Sequence, residues 1–173
     1  MKKKIAYVVG ERVSTSLSPT IFNYWISKYS INAEYGFKEI KNENFNNTIK
    51  EILEEQNLCG LNITTPFKEK IVNHLDQVDN HSKIIGAVNC VSCKNNKLYG
   101  YNTDWVGFKA ALKEKTNKKD RIDKSVMIIG YGGAAKAVLY ALLKLEYKKI
   151  HVFNRTLGKL SKIKRENNKI ETH

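Results

Sequence analysis

The chain has 173 residues, 42% hydrophobic and 27% charged, a balance that fits one folded domain or two small ones and excludes a disordered polymer. Its formal charge of +13 raises nucleic acid as a partner, but only Arg12, Arg121, Arg155 and Arg165 are arginine, and base readout and bidentate phosphate recognition favour arginine over lysine. No apolar run approaches the roughly 18 residues of a membrane span, so the expected partner is a small anionic molecule, with no nucleic acid and no membrane.

Ile5 to Val9 is a short apolar run ended by Gly10 and predicts a strand. Met1 to Lys4 looks like the start of a signal peptide, yet the run is short and Glu11-Arg12 closes it, which points to a cytoplasmic protein. Cys59, Cys90 and Cys93, an odd and small set, fit the same reducing compartment. From Ser18-Pro19 onward, Ile21, Phe22, Trp25, Ile26 and Tyr29 recur at helical spacing, with Ser18 expected as cap and Pro19 at the first helical position. Tyr35 to Ile40 is expected to be extended, and Phe45, Ile49, Ile52 and Leu53 mark an amphipathic helix. Leu58 to Thr64 predicts a strand, Pro66 a helix running towards Leu75, Gly86 to Ser92 and Leu98 to Tyr101 two more strands, and Asp104 to Leu112 a helix.

A polar, lysine-rich stretch from Lys113 to Lys124 follows, and the boundary between two domains is expected near residues 104–124. The charge is uneven across it: residues 1–112 hold 14 Lys and Arg against 11 Asp and Glu, while 113–173 hold 16 against 6. Ser125 to Ile129 is an apolar strand leading into Gly130-Tyr131-Gly132-Gly133-Ala134, then an apolar helix to Leu145, a strand from Lys149 to Phe153 and one more helix. Strands alternating with helices predict an α/β protein with parallel sheets. Two strands are expected in the second part, too few for a sheet covered on both faces, so the chain looks truncated.

Three groups of residues carry chemistry. Gly130-x-Gly132-x-x-Ala135 sits directly after a strand and opens a helix, the setting in which small residues let backbone approach a dinucleotide pyrophosphate. An NAD site would place a carboxylate at the end of the following strand. Here that strand ends Phe153-Asn154-Arg155-Thr156, with Lys159 a turn later, which favours NADP and its 2′-phosphate. Ser16-Leu17-Ser18-Pro19 places two hydroxyls at a loop-to-helix junction, suited to a carboxylate or simply to capping. Lys68, after Asn62-Ile63-Thr64-Thr65-Pro66-Phe67, and Asp104, after Asn102-Thr103 (with Thr103 or Asp104 as the helix cap), would make a proton-transfer pair if the fold brought them together. Cys90-Val-Ser-Cys93 has zinc-ribbon spacing, but it has no second pair and no histidine at a useful offset. It is expected to be two positions on a strand, with no metal.

In order, Ser16-Leu17-Ser18-Pro19, Asn62-Ile63-Thr64-x-Pro66-Phe67-Lys68, Gly86-Ala87-Val88-Asn89, Gly100-Tyr101-Asn102-Thr103-Asp104-x-x-Gly107-Phe108, Gly130-x-Gly132-Gly133-Ala134 and Asn154-Arg155-Thr156 closely resemble the shikimate dehydrogenase family. The resemblance implies reversible NADPH-dependent reduction of 3-dehydroshikimate to shikimate, in the pathway to aromatic amino acids. It implies a substrate domain over 1–104 with a mixed, mainly parallel sheet, a connecting helix and polar linker over 105–124, and a partial Rossmann-type NADP domain over 125–173. Ser16 and Ser18 would hold the substrate carboxylate, and Asn62, Thr64, Asn89 and Asp104 its ring hydroxyls. Lys68 would be the acid/base, oriented by Asp104; Gly130, Gly132, Gly133 and Ala134 would carry the pyrophosphate, and Asn154, Arg155, Thr156 and Lys159 the 2′-phosphate.

Three departures stand out. Phe22 replaces the histidine usual after Ser-Pro-x-x, and Cys90 replaces a threonine. Family members also continue through further strands and return to complete the substrate domain, so a chain of this length standing alone is expected to turn over weakly or not at all. The rival readings are a quinate/shikimate dehydrogenase using NAD, a methylenetetrahydrofolate dehydrogenase, which would lack the Ser-x-Ser-Pro loop, and a non-catalytic basic binding module. A monomer or a homodimer is expected.

Overall fold

In the computed structural model, which describes residues 2–161, 163 and 167–173, the chain divides into two compact units, Met1–Tyr101 and Asn102–His173. The first is built on β1 (Lys4–Gly10). Side chains alternate across a strand, and here each side finds its own layer. Val8 packs with Val13, Tyr35, Phe22 and Ile26 on the side of α1 (Ser18–Lys28). Val9 packs on the other side with Phe45, Ile49 and Ile52 of α2 (Phe45–Leu53).

Around β1 lie β2 (Ala33–Glu39), β3 (Leu58–Ile63), β4 (Gln77–Val78), β5 (Cys90–Lys94) and β6 (Lys97–Tyr101), in the order β2-β1-β3-β5-β6-β4. Only β5 runs against its neighbours. The sheet is therefore mixed and mainly parallel, as expected. On the outer edge of β2, the Asn23 side chain from α1 donates to the Tyr35 carbonyl (2.7 Å) and accepts from its N–H (3.0 Å), occupying backbone groups that an edge strand otherwise exposes.

Several expectations for this unit are corrected. No α-helix starts at Pro66: residues 65–69 are turns, followed by a 3₁₀ segment, Lys70–His74. The Lys68 carbonyl, which an α-helix would turn to residue 72, instead accepts the Val88 N–H at 2.7 Å. Gly86 does not begin a strand. It caps α3 (Asn80–Ile85), a helix the sequence reading missed, in the left-handed conformation at φ 70°. Ser18 is not a side-chain cap: it lies inside the first turn of α1, after Leu17. The first amides of α4 (Asp104–Lys115) are held by Asn102, whose Oδ1 accepts from the N–H of Asp104 (3.1 Å) and of Trp105 (3.4 Å), and not by the side chain of Thr103.

The start of α3 gives a measurable prediction. Asp79 accepts from the N–H of His81 (2.7 Å) and of Ser82 (3.0 Å), and from the Ser82 hydroxyl (2.5 Å). Burial opposes its ionisation, but these hydrogen bonds together outweigh burial and hold the carboxyl below its usual value. D79A removes the cap and leaves the fully buried Ser82 hydroxyl without this acceptor, so a loss of about 1–3 kcal/mol is expected from urea unfolding at neutral pH. Because the folded-state pKa is the lower one, the stabilisation is complete above the unfolded pKa of about 4 and disappears as pH falls through the folded value. The gap between wild type and D79A should therefore narrow below about pH 4.

In the second unit, β7 (Ser125–Ile129), β8 (Lys149–Phe153) and β9 (Ile170–Thr172) form a parallel sheet in that order. The expectation of two strands is thus corrected to three. The third is short, with its buried anchor in Ile170. One face of the sheet presents Ile128, Ile150, Val152 and Ile170 to Leu139 and Leu142 of α6 (Gly133–Lys144), while Met127 and Ile129 on the other face are 62% and 81% exposed. α4 belongs to this unit, with Trp105 edge-on to Tyr140 of α6 at 5.2 Å. The lysine-rich stretch is not open linker: it holds the last turn of α4 and α5 (Lys118–Asp123), capped by Asn117. The further helix expected near the C-terminus falls partly on residues 162 and 164–166, outside the described residues.

Candidate functional site

The C-terminal ends of β1, β2, β3 and β6 and the start of β5 meet at one edge of the larger sheet. Six backbone hydrogen bonds join them in sequence. Ile40 N–H donates to Gly10 (2.9 Å), Thr64 N–H to Val9 (2.9 Å) and Glu11 N–H to Thr65 (3.2 Å). Ile63 N–H donates to Asn89 (2.9 Å), Asn89 N–H to Tyr101 (3.0 Å) and Val88 N–H to Lys68 (2.7 Å). Gly10 is needed for the close approach, since a Cβ there would lie 2.5 Å from the Thr64 methyl and 2.7 Å from Val13. Ser16, Ser18, Asn62, Thr64, Lys68 and Asn89 all belong to segments gathered at this edge, and all six are half-buried. In open α/β sheets this is the side where ligands bind.

Two residues of the expected strand Tyr35 to Ile40, neither of them a candidate site residue in the sequence, shape the edge. Tyr35, pushed to a higher pKa chiefly by burial, donates its hydroxyl to Asn62 Oδ1 at 2.6 Å. The acceptor end of that amide is engaged, so what Asn62 offers a ligand is chiefly its N–H donors. Glu39, at the end of β2, accepts the N–H groups of Val13 and Ser14 through Oε1, both at 2.8 Å. The Ser14 N–H, the Ser14 hydroxyl and the Val13 N–H hold its carboxyl below the usual range. It fixes the loop that carries Ser16, whose Oγ in turn accepts the Ser18 N–H at 3.2 Å and so keeps its own proton for a ligand. In a sequence, Tyr35 is one aromatic in an alternating strand and Glu39 one of many surface acids; neither carries a local signal.

Cys90 and Cys93 lie three apart on β5, on opposite faces of the strand. Burial raises both thiols, that of Cys93 to about 11. A cavity of about 420 Å³ opens at the far end of the sheet, between residues 53–58 and 93–98. It contains none of the candidate residues.

In the second unit the glycine turn follows β7. Gly130 takes φ +94°, a conformation that excludes ordinary side chains, and its N–H donates to the Phe153 carbonyl at 2.7 Å. A Cβ at Gly130 or Gly132 would meet nothing within 4 Å, so both face open space. Gly132 occupies the cap position of α6 with no side chain on the first amides, leaving the helix start open to an anion. The Asn154 Oδ1 accepts the Tyr131 N–H (3.1 Å) and its Nδ2 donates to the Thr156 carbonyl (2.9 Å). Asn154 thereby braces the turn from the end of β8, with both ends of its amide engaged. Arg155, Thr156 and Lys159 are exposed beside it, as is Ala134, while Gly133 opens α6. Gly130, Asn154 and Arg155, with Ile129, Phe153 and His173, line a cavity of about 510 Å³. These features fit a dinucleotide: room in front of two glycines, an open helix N-terminus and a cation at the adjacent strand end.

Asp104 is the first residue of α4, three positions past the end of β6, and is half-buried. It belongs to the second unit, Lys68 to the first.

Comparison with known proteins bears on both units. Residues 8–91 match the family model "Shikimate dehydrogenase substrate binding domain", and residues 111–173 match "Shikimate / quinate 5-dehydrogenase". A relative from Pelagibacter ubique named shikimate dehydrogenase (NADP(+)) is 38% identical over 169 residues, 98% of this chain and 63% of the relative. The crystal structure of shikimate dehydrogenase from Aquifex aeolicus superposes with a TM-score of 0.86 at 38% identity, over 99% of this chain and 62% of that one. That of shikimate 5-dehydrogenase from Thermus thermophilus, in complex with NADP(H) and shikimate, gives 0.80 at 29% identity, over 98% and 62%. The chain spans between 56% and 63% of the length of the first three curated relatives it matches.

Proposed function

This chain belongs to the shikimate dehydrogenase family, and from that membership we propose that it carries the substrate-binding and acid/base residues for the reversible conversion of 3-dehydroshikimate to shikimate with NADP(H). The first unit takes the substrate and the second the nucleotide. What carries this reading is the gathering of Ser16, Ser18, Asn62, Thr64, Lys68 and Asn89 at one sheet edge, in the order and types expected for a hydroxylated ring acid.

The hydroxyls of Ser16 and Ser18 bind the carboxylate, helped by the positive end of α1. Asn62, Thr64 and Asn89 bind the ring hydroxyls, Asn62 mainly as a donor because Tyr35 engages its oxygen. When bound, NADPH supplies the hydride that the carbonyl carbon receives. The Lys68 ammonium then gives one proton to the oxygen, turning C=O into CH–OH; in the reverse direction the amine takes that proton back. Charge stabilisation of the developing alkoxide and proton delivery come from the same group. On the nucleotide, Gly130, Gly132, Gly133 and Ala134 seat the pyrophosphate, and Arg155, with Thr156 and Lys159, takes the 2′-phosphate on a turn braced by Asn154.

Shikimate titrated into the chain should bind saturably, and S16A and N62A should weaken that binding. A folded chain that binds neither shikimate nor NADP+ would overturn the proposal, and quinate in the same titration tests the alternative substrate. The nucleotide assignment has its own check. R155A is expected to weaken NADP+ and 2′,5′-ADP by about 10- to 100-fold, the worth of a charge-assisted phosphate contact, while NAD+ and 5′-ADP change little. Equal losses for both pairs would assign Arg155 to the adenine or to structure.

A further inference from the structure

The pairing of β9 with β8 assembles a group that no segment of the sequence contains by itself. His151 stands beside Glu171 across the parallel ladder, and His173, two residues on from Glu171, lies just past the end of β9 with its N–H still bonded to β8. We propose that His151, Glu171 and His173 form a binding site for one divalent transition-metal ion of the zinc, nickel or copper type. This assignment is independent of the dehydrogenase reading.

One ligand atom from each side chain lies within 4.8 Å of the other two. His151 Nδ1 is 3.2 Å from His173 Nε2 and 3.2 Å from a Glu171 carboxylate oxygen, Oε2. A tetrahedral ion with bonds of about 2.0–2.1 Å to nitrogen and oxygen spaces its ligands about 3.3 Å apart, so two of the three edges already have the required length. Two imidazoles and a carboxylate are the donor set that borderline metals select over magnesium or calcium. Such a site leaves a fourth position for water.

The surroundings hold the three groups in place. Lys149 pairs with the other Glu171 oxygen, Oε1, leaving Oε2 turned to His151. The His173 ring stacks on Phe153 with centroids 4.4 Å apart. Its backbone is pinned on both sides, its N–H donating to the Val152 carbonyl (2.9 Å) and its carbonyl accepting from Asn154 (3.2 Å). His151 and Glu171 are half-buried and His173 is exposed, so an ion can enter from solvent.

The same 3.2 Å contact suits a plain imidazole–imidazole hydrogen bond, and metal titration separates the two. The 173-residue chain, with Cys59, Cys90 and Cys93 alkylated, is titrated with Co2+ and followed by its visible absorption; Zn2+ is then added as competitor. One equivalent of Co2+ with the intense spectrum of a tetrahedral ion, displaced by Zn2+, is the expected result. H151Q, E171Q and H173Q should each weaken binding at least tenfold, with circular dichroism unchanged. Should one of them unfold, zinc-induced shifts of the His151 and His173 imidazole resonances in the wild-type chain give the same answer. Absence of a saturable spectrum, or equal affinity in the H151Q/H173Q double variant, would overturn the site.

Discussion

Replacing Lys68 with methionine is expected to lower the rate of shikimate oxidation by a factor of about 10² to 10⁴, the usual worth of a positioned acid/base. Shikimate affinity should change by less than about tenfold, because the carboxylate and ring contacts proposed for Ser16, Ser18, Asn62 and Asn89 remain. Methionine keeps much of the unbranched stem and removes only the ammonium, so the fold is little disturbed. The measurement is single-turnover reduction of NADP+ with the protein in excess, where the ratio of variant to wild type is the readout and a slow reaction is still visible. K68R is the informative companion. It keeps the positive charge near the alkoxide but binds its proton too tightly to exchange it near neutrality, so it should recover binding without recovering rate. A K68M rate within a factor of a few of wild type would remove Lys68 from the proton transfer.

The position of Lys68 also shows what could be read in the sequence and what could not. β1, α2, β7, α6 and β8 were legible because their signals are local: an apolar run closed by glycine, or buried residues at helical spacing such as Phe45, Ile49 and Ile52. The residues proposed for the site were found through motif order, and most lie at strand ends or loop junctions, where chain reversal leaves a composition signal. What escaped depends on partners distant in sequence. The helix expected after Pro66 fails because the Lys68 carbonyl is taken by Val88, 20 residues on. Gly86, expected in a strand, ends a short helix that Asp79, seven residues earlier, caps. Tyr35 reaches Asn62 across 27 residues, and Glu39 reaches Val13 across 26. β9, with three residues and one buried anchor, carries too little pattern to be seen before its neighbour is in place.

Phe67→Ala is expected to have the largest effect on stability in the first unit, about 3–5 kcal/mol. The ring is fully buried and stacked on Phe45, with centroids 4.4 Å apart and planes 20° apart. With the equally buried Ile71 it anchors a segment without regular α-helix, in which the Phe67 N–H donates to Thr64 (2.9 Å) and its carbonyl accepts from Ile71 (3.0 Å). Against a typical total of about 5–15 kcal/mol, a loss of this size leaves a marginal protein. F67L, which refills much of the cavity, should cost clearly less than F67A. Since Phe67 immediately precedes Lys68, the loss should also reach the site, loosening the backbone bond from Val88 to the Lys68 carbonyl and weakening shikimate binding in F67A although no atom of Phe67 is proposed to touch the ligand. Linkage then works in reverse: shikimate at a hundred times its dissociation constant should return about 2.7 kcal/mol to any variant that still binds it. Urea unfolding of wild type, F67L and F67A, each with and without shikimate, measures both effects together. An F67A loss below about 1 kcal/mol would mean that the segment carrying Lys68 is held by something other than this ring.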